Sequence, residues 1–163
     1  MRFLHFTMAT AIAATAACAK PQPKPVVAAV EVPRLKLAVL AVESDRFPAA
    51  AAAATASLAT AKVIGVDDIE VSKVSLEVVQ LSIECVEPTS ECYGAVGRSL
   101  SANRLLFAQI APSSKKRRAQ DLRVTVTLFD VDTSAPAKTA EKVFRNERDA
   151  SAGIDTLIAE ATR

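Results

Sequence analysis

Residues able to do chemistry are few in this 163-residue chain, and they are unevenly placed. There is one histidine, His5, and there are three cysteines, Cys18, Cys85 and Cys92. Carboxylates cluster as Asp67-Asp68, as Glu84, Glu87 and Glu91, and as Asp130 and Asp132. Asp130 and Asp132 share a face at a strand end, a place where a divalent cation can sit. Calcium, however, asks for about six to eight oxygen ligands, and no further partners gather around the pair. The expectation is therefore strand termination beside a turn, with no metal. Lys115-Lys116-Arg117-Arg118 is the densest charge in the chain. Two readings of it stand: a patch for anionic headgroups, a polyanion or an acidic partner protein, or a solvated hairpin tip that keeps strands from sticking to neighbours. Gly94 and Gly97 fall within a helical stretch, where they permit close helix approach. No glycine-rich phosphate loop is present, and no cofactor is expected.

Bulk charge narrows the partners further. Twenty Lys and Arg against 18 Asp and Glu leave a net charge of +2, which gives no global attraction to nucleic acid. Aromatics make up 4% of the chain, with no Trp and one Tyr, so base-stacking platforms are not expected.

The N-terminus reads as an address. Met1-Arg2-Phe3-Leu4-His5-Phe6 carries one firm positive charge, and Phe6 to Ala17 has no acidic or basic residue. A basic start, an apolar run and small residues before a cut form a secretory signal. The run is shorter than the roughly 20 residues of a membrane-spanning helix. Thr15-Ala16-Ala17-Cys18 resembles the small-residue box before the cysteine of bacterial lipoproteins, with Thr15 where leucine is commoner. The resemblance implies residues 1–17 as a signal peptide, cleavage before Cys18, a diacylglycerol on its sulfur and acylation of the new N-terminus. Several acyl chains hold a protein at a membrane where one does not. Ala19, in place of the aspartate that retains lipoproteins at the inner membrane, implies the outer membrane, facing the periplasm. The alternative is an ordinary secretory signal cut near Ala17, giving a soluble secreted factor.

Removing residues 1–17 takes His5 away. A mature chain without histidine has no Ser-His-Asp or Cys-His nucleophile and no His-ligated zinc or iron. Once Cys18 is lipidated, Cys85 and Cys92 remain, and an even remainder in an oxidising compartment reads as one disulfide. Their spacing is wider than Cys-x-x-Cys, and two thiols fall short of the four ligands of structural zinc.

The elements that position these residues begin after a stem. Residues 18–33 contain four of the chain's eight prolines and favour extended polyproline II. A single domain over 34–163 follows. Leu35 to Val42 is a nearly continuous apolar run, suited to a strand buried on both faces. Ala49 to Lys62 is an alanine-rich helix with Pro48 in its first turn and Ser44 or Asp45 as its cap. Residues 65–74 suggest a second strand. Residues 75–87 carry both a helical face and β-branched content; the helical reading is taken. A helix from Pro88-Thr89 to about Ala102 ends near Asn103, placed at positive φ. Leu105–Ala111, Leu122–Asp132 and Ala140–Asn146 form an antiparallel meander, with Leu122–Asp132 internal and Ala140–Asn146 at an edge. Ser151 caps a last amphipathic helix carrying Ile154, Leu157, Ile158 and Ala161.

This order gives an α/β sandwich with one mixed five-stranded sheet and helices packed on it. The run LKLAVLAV leading into an alanine-rich helix, together with Asn-Arg-Leu-Leu-Phe-Ala-Gln-Ile (103–110) and Val-Thr-Val-Thr-Leu-Phe-Asp-Val (124–131), resembles the TolB N-terminal domain and the CsgG-like envelope lipoproteins. The resemblance covers roughly residues 35–162 and implies binding and scaffolding, with no catalytic residue carried onto this chain. The functional expectation is a non-catalytic envelope lipoprotein acting as a binding or scaffolding module, with a soluble secreted factor, and after it a histidine-free enzyme, as the alternatives. Its partners are a membrane, through the lipid on Cys18, and an unidentified envelope protein; nucleic acid is not among them.

Overall fold

Lys36–Ala41 forms the first strand, β1, with four successive buried residues. The chain then alternates helix and strand: α1 Pro48–Ala59, β2 Asp68–Ser75, α2 Leu76–Ser82 and α3 Ser90–Ser99, followed by the meander β3 Arg104–Pro112, β4 Leu122–Asp130 and β5 Ala135–Phe144, and finally α4 Glu147–Thr162. The computed structural model describes residues 34–85, 87–113 and 120–163. Cys18 and the 115–118 basic run lie outside them. The five strands make one mixed sheet in the order β2-β1-β3-β4-β5. β1 runs parallel to β2 and β3, and the meander is antiparallel.

The two crossovers explain the layering. β1 to β2 moves one way across the sheet, and β2 to β3 moves back over β1. With the same hand for both, their helices must lie on opposite faces. On one face Leu37, Val39, Leu106, Val124 and Val126 meet α1 and α4. On the other Ala38, Leu40, Leu105, Phe107 and Phe129 meet α2 and α3. Alternation along β1 thus feeds both cores, as its unbroken apolar run requires. Alanines at 50, 51 and 54 bring α1 close to the sheet, and Leu58 fills the end of the contact, fully buried. Burying a leucine of this kind contributes about 1.5–3 kcal/mol.

Several boundaries differ from the sequence expectation, each for a physical reason. The stretch 75–87 divides at its start: Ser75 closes β2 and the helix occupies Leu76–Ser82. α3 ends at Ser99, and the positive φ belongs to Ser101 (51°), not to Asn103. Ser101 N–H donates to Arg98 O at 3.0 Å and Ala102 N–H to Gly97 O at 2.9 Å, the pair of bonds of a Schellman ending. Asn103 is thereby free to join three strands. It donates N–H to Lys36 O at 2.9 Å, accepts Lys36 N–H on Oδ1 at 3.1 Å, and accepts Val131 N–H on its carbonyl. β5 starts at Ala135, earlier than Ala140, because a tight turn at 131–134 lets pairing begin at Asp130↔Ala135. The register then skips Ala137, a bulge in the edge strand. α4 starts at Glu147 with Asn146 as its cap, its Oδ1 accepting Asp149 N–H at 2.9 Å. Ser151 instead donates its hydroxyl to Glu147 O one turn back.

Candidate functional site

The helix layers cover the sheet unequally. On the α2/α3 face, apolar side chains stop at β3 and the Phe129 end of β4. Beyond them β4 presents Arg123, Thr125 and Thr127 to that face, opposite Val143, Glu141 and Thr139 of β5. Arg123 Nε pairs with Glu141 Oε1 at 3.4 Å, and Thr125 donates its hydroxyl to Glu141 Oε2 at 3.1 Å. This face of the half-sheet is mainly polar, with the half-exposed Val143 among its hydroxyls and the Arg–Glu pair. Its polarity follows from period-two alternation, since Leu122, Val124 and Val126 point into the opposite core.

A cavity of about 170 Å³ lies where α3 meets this surface, lined by Ser90, Tyr93, Thr127, Phe129, Pro136 and Thr139. Its aromatic wall is held by ring contacts. Tyr93 lies 5.0 Å from Phe107 and 5.7 Å, edge-on, from Phe129. Burial pushes the Tyr93 phenol above its ordinary range, while its hydrogen bond with Gln109 pulls it down and Glu77 raises it again. Thr127 is only 8% exposed, and among the hydrogen bonds of the described residues none uses its hydroxyl. The cavity is therefore an apolar pocket with an uncharged hydroxyl rim.

Beside it, β5 ends the sheet with its outer N–H and C=O groups unpaired among the described residues. On the other face of β5 an open groove of about 420 Å³ runs along α4, with Lys142, Val143, Phe144, Arg145, Asp149 and Gly153 among its lining. A Cβ at Gly153 would meet the Phe144 ring at 2.6 Å, so only glycine lets α4 approach β5 this closely. Lys138, Lys142 and Arg145 are exposed and form no ion pair among the described residues. The Lys142 ammonium lies 5.3 Å from the Phe144 ring centroid.

The opposite edge differs. β2 is exposed almost throughout, including Ile69 and Val71, and Val78 and Leu81 of α2 are exposed as well. Its Glu70 pairs with Lys36 at 2.6 Å.

The residues singled out from the sequence fall as follows. Cys85 and Cys92 are joined as a disulfide, Cα atoms 5.7 Å apart, fastening the chain beyond α2 to the first turn of α3. Gln80 Nε2 lies 3.2 Å from Cys92 Sγ. Asp130 pairs with Arg104, its cross-strand partner, and also accepts Thr133 N–H at 2.9 Å. Asp132 is 3.4 Å from the Asn103 amide nitrogen. Asp67 accepts Leu35 N–H at 3.2 Å. Each of these aspartates thus has structural work. Among the described residues no group of three or more His, Cys, Asp or Glu gathers to hold a metal. Gly97 permits the close approach of α3 to Val131, whose side chain occupies the space a Cβ would need. No described helix is long and apolar enough to cross a membrane.

The sequence reading missed the pocket and the groove. One signal was present: Arg123, Thr125 and Thr127 alternate with the core residues of β4, marking a strand with one face left to solvent.

No family model matches this chain, and no curated protein matches it. Among solved structures it is similar to the PelC dodecamer from Paraburkholderia phytofirmans, with 17% identity, 80% of this chain and 94% of that chain covered, and a TM-score of 0.45. It is also similar to the LpoB C-terminal domain from Salmonella enterica, with 13% identity, 69% of this chain and 83% of that chain covered, and a TM-score of 0.44.

Proposed function

We propose that this protein is a lipid-anchored, non-catalytic binding or scaffolding module of the bacterial envelope. Cys18 carries the lipid, residues 18–33 form the stem, and the α/β domain faces the periplasm from the outer membrane. The resemblance of its N-terminus to a lipoprotein signal supports the anchor, and the resemblance to the TolB N-terminal and CsgG-like domains supports the scaffolding role. The observation that carries the binding role is the α2/α3-side face of β4 and β5, which no described helix covers. A solvated sheet face beside a free edge strand offers a fixed surface and unpaired backbone groups to another protein. The side chains on it are hydroxyls, a paired Arg–Glu and the half-exposed Val143, suited to recognition. The Lys115–Arg118 run remains a candidate patch for an acidic partner or an anionic surface.

Membrane fractionation tests the anchor. The native chain is expected in the outer-membrane fraction, with Cys18→Ser released to the soluble periplasm or held as an unprocessed precursor. A native chain recovered wholly as soluble protein would support the secreted-factor reading instead.

A further inference from the structure

We propose that the β5 edge is a docking site for an extended segment of a partner protein. The segment adds as a sixth strand along Lys138–Phe144 and inserts an apolar side chain into the Tyr93–Thr127 pocket and an acidic one into the Lys142–Arg145 groove. The inference deepens the binding role proposed above by naming the site and the chemistry of its partner.

Three observations converge on this edge. First, β5 is the last strand of the sheet, and between Lys138 and Phe144 its ladder with β4 is regular. A partner strand can therefore pair there, while the bulge at Ala137 and the missing N–H of Pro136 stop pairing further back. Second, an added strand sends successive side chains to opposite faces, and each face of β5 holds a concavity. The pocket of Ser90, Tyr93, Thr127 and Thr139 opens on one side, and the groove of Lys142, Arg145, Asp149 and Gly153 on the other, where Asp149 already accepts from the Asn146 amide at 3.1 Å. Third, Thr127 and Thr139 line the pocket, and the Thr127 hydroxyl makes no hydrogen bond among the described residues. The Thr127 residue is largely buried, but its hydroxyl oxygen still reaches the pocket's solvent, so it can meet an incoming polar group. A backbone amide or carbonyl entering with the apolar side chain would pair with it.

Charge selects the partner. Lys138, Lys142 and Arg145 stand exposed without ion pairs among the described residues. Lysines on an edge repel basic strands and indiscriminate pairing, and the same charges attract an acidic one. The pocket carries no charge and takes a neutral side chain long enough to lean over Thr139, such as Leu, Met or Phe. The β2 edge offers exposed apolar side chains and neither of these two concavities, so it lacks this selection.

The test uses the full chain in detergent micelles and a displayed library of random ten-residue peptides. Enriched peptides are expected to place an acidic residue about three or five positions from a Leu, Met or Phe, the odd spacing that puts the two on opposite faces. Binding should weaken about tenfold, the scale of one anchor position, in Thr139→Trp, which fills the pocket from an exposed position. It should weaken similarly in Lys142→Glu with Arg145→Glu. Amide hydrogen exchange should slow at Lys138–Phe144 in the complex. Absence of enrichment, enriched peptides that bind both variants unchanged, or protection at Asp68–Ser75 in place of β5 would each overturn the proposal. Peptide binding and membrane anchoring are read by separate experiments, so either can fail while the other stands.

Discussion

The Glu147 carboxylate accepts the amide hydrogens of Ala49 at 2.8 Å and Ala50 at 3.0 Å, so the first residue of α4 caps α1 across a sequence separation of nearly a hundred residues. α1 has no side-chain cap of its own; its flanking residue is Phe47 and its first residue is Pro48. An anion at a helix N-terminus satisfies orphan N–H groups and complements the helix dipole. Glu147→Ala should lower unfolding free energy by about 1 kcal/mol, the usual worth of a cap, and Glu147→Gln by less, because its amide oxygen still accepts. Denaturant unfolding of the three proteins measures this. Equal stability for all of them would show that the contact contributes nothing.

The Cys85–Cys92 bridge closes a short loop, and loop-closure entropy gives it about 2–3 kcal/mol. Thiol titration of the denatured, unreduced protein with Cys18 replaced by Ser should find no free thiol. Reduction should lower stability by that amount and loosen α3 first. Two titratable thiols would mean that the pair does not form a bond in the native protein.

Gly97 sits against Val131, with no room for a Cβ. Gly97→Ala should destabilise by about 1–3 kcal/mol, as overpacking does, although alanine is the better helix former. Val131→Ala in the same chain should recover part of the loss. A non-additive double-mutant cycle would locate the strain at this contact.

Tyr93 is the chain's one tyrosine and there is no tryptophan, so phenolate absorbance reports on α3 directly. Burial raises its folded-state pKa. The unfolded chain therefore loses this proton first as pH rises. The stability it contributes is complete below the ordinary phenol pKa and is lost as pH climbs through the raised folded value. The native absorbance titration should lie alkaline of the denatured one, and superimposable titrations would contradict the burial of the ring.

Much of this architecture is legible in the residues. The unbroken apolar run of β1 announces a strand covered on both faces, and Leu122, Val124 and Val126 announce one core-facing side of β4. What escapes is decided by tertiary contacts. The cap of α1 comes from Glu147, which no local pattern near Ser44 can reveal. The positive φ falls on Ser101 because Asn103 is taken up by Lys36 and Val131. β5 extends back to Ala135 because pairing with β4 outweighs the weak strand preference of Ala-Pro-Ala. The pocket requires Tyr93 and Thr127 to meet from α3 and β4, a juxtaposition that topology creates and spacing does not encode.

The anchor is the claim on which the envelope role rests. Labelled palmitate fed to bacteria producing this protein should enter the native chain and be absent from Cys18→Ser, and the mature native chain should begin at Cys18. Equal labelling of both proteins, or an unlabelled native chain cut near Ala17, would contradict the account.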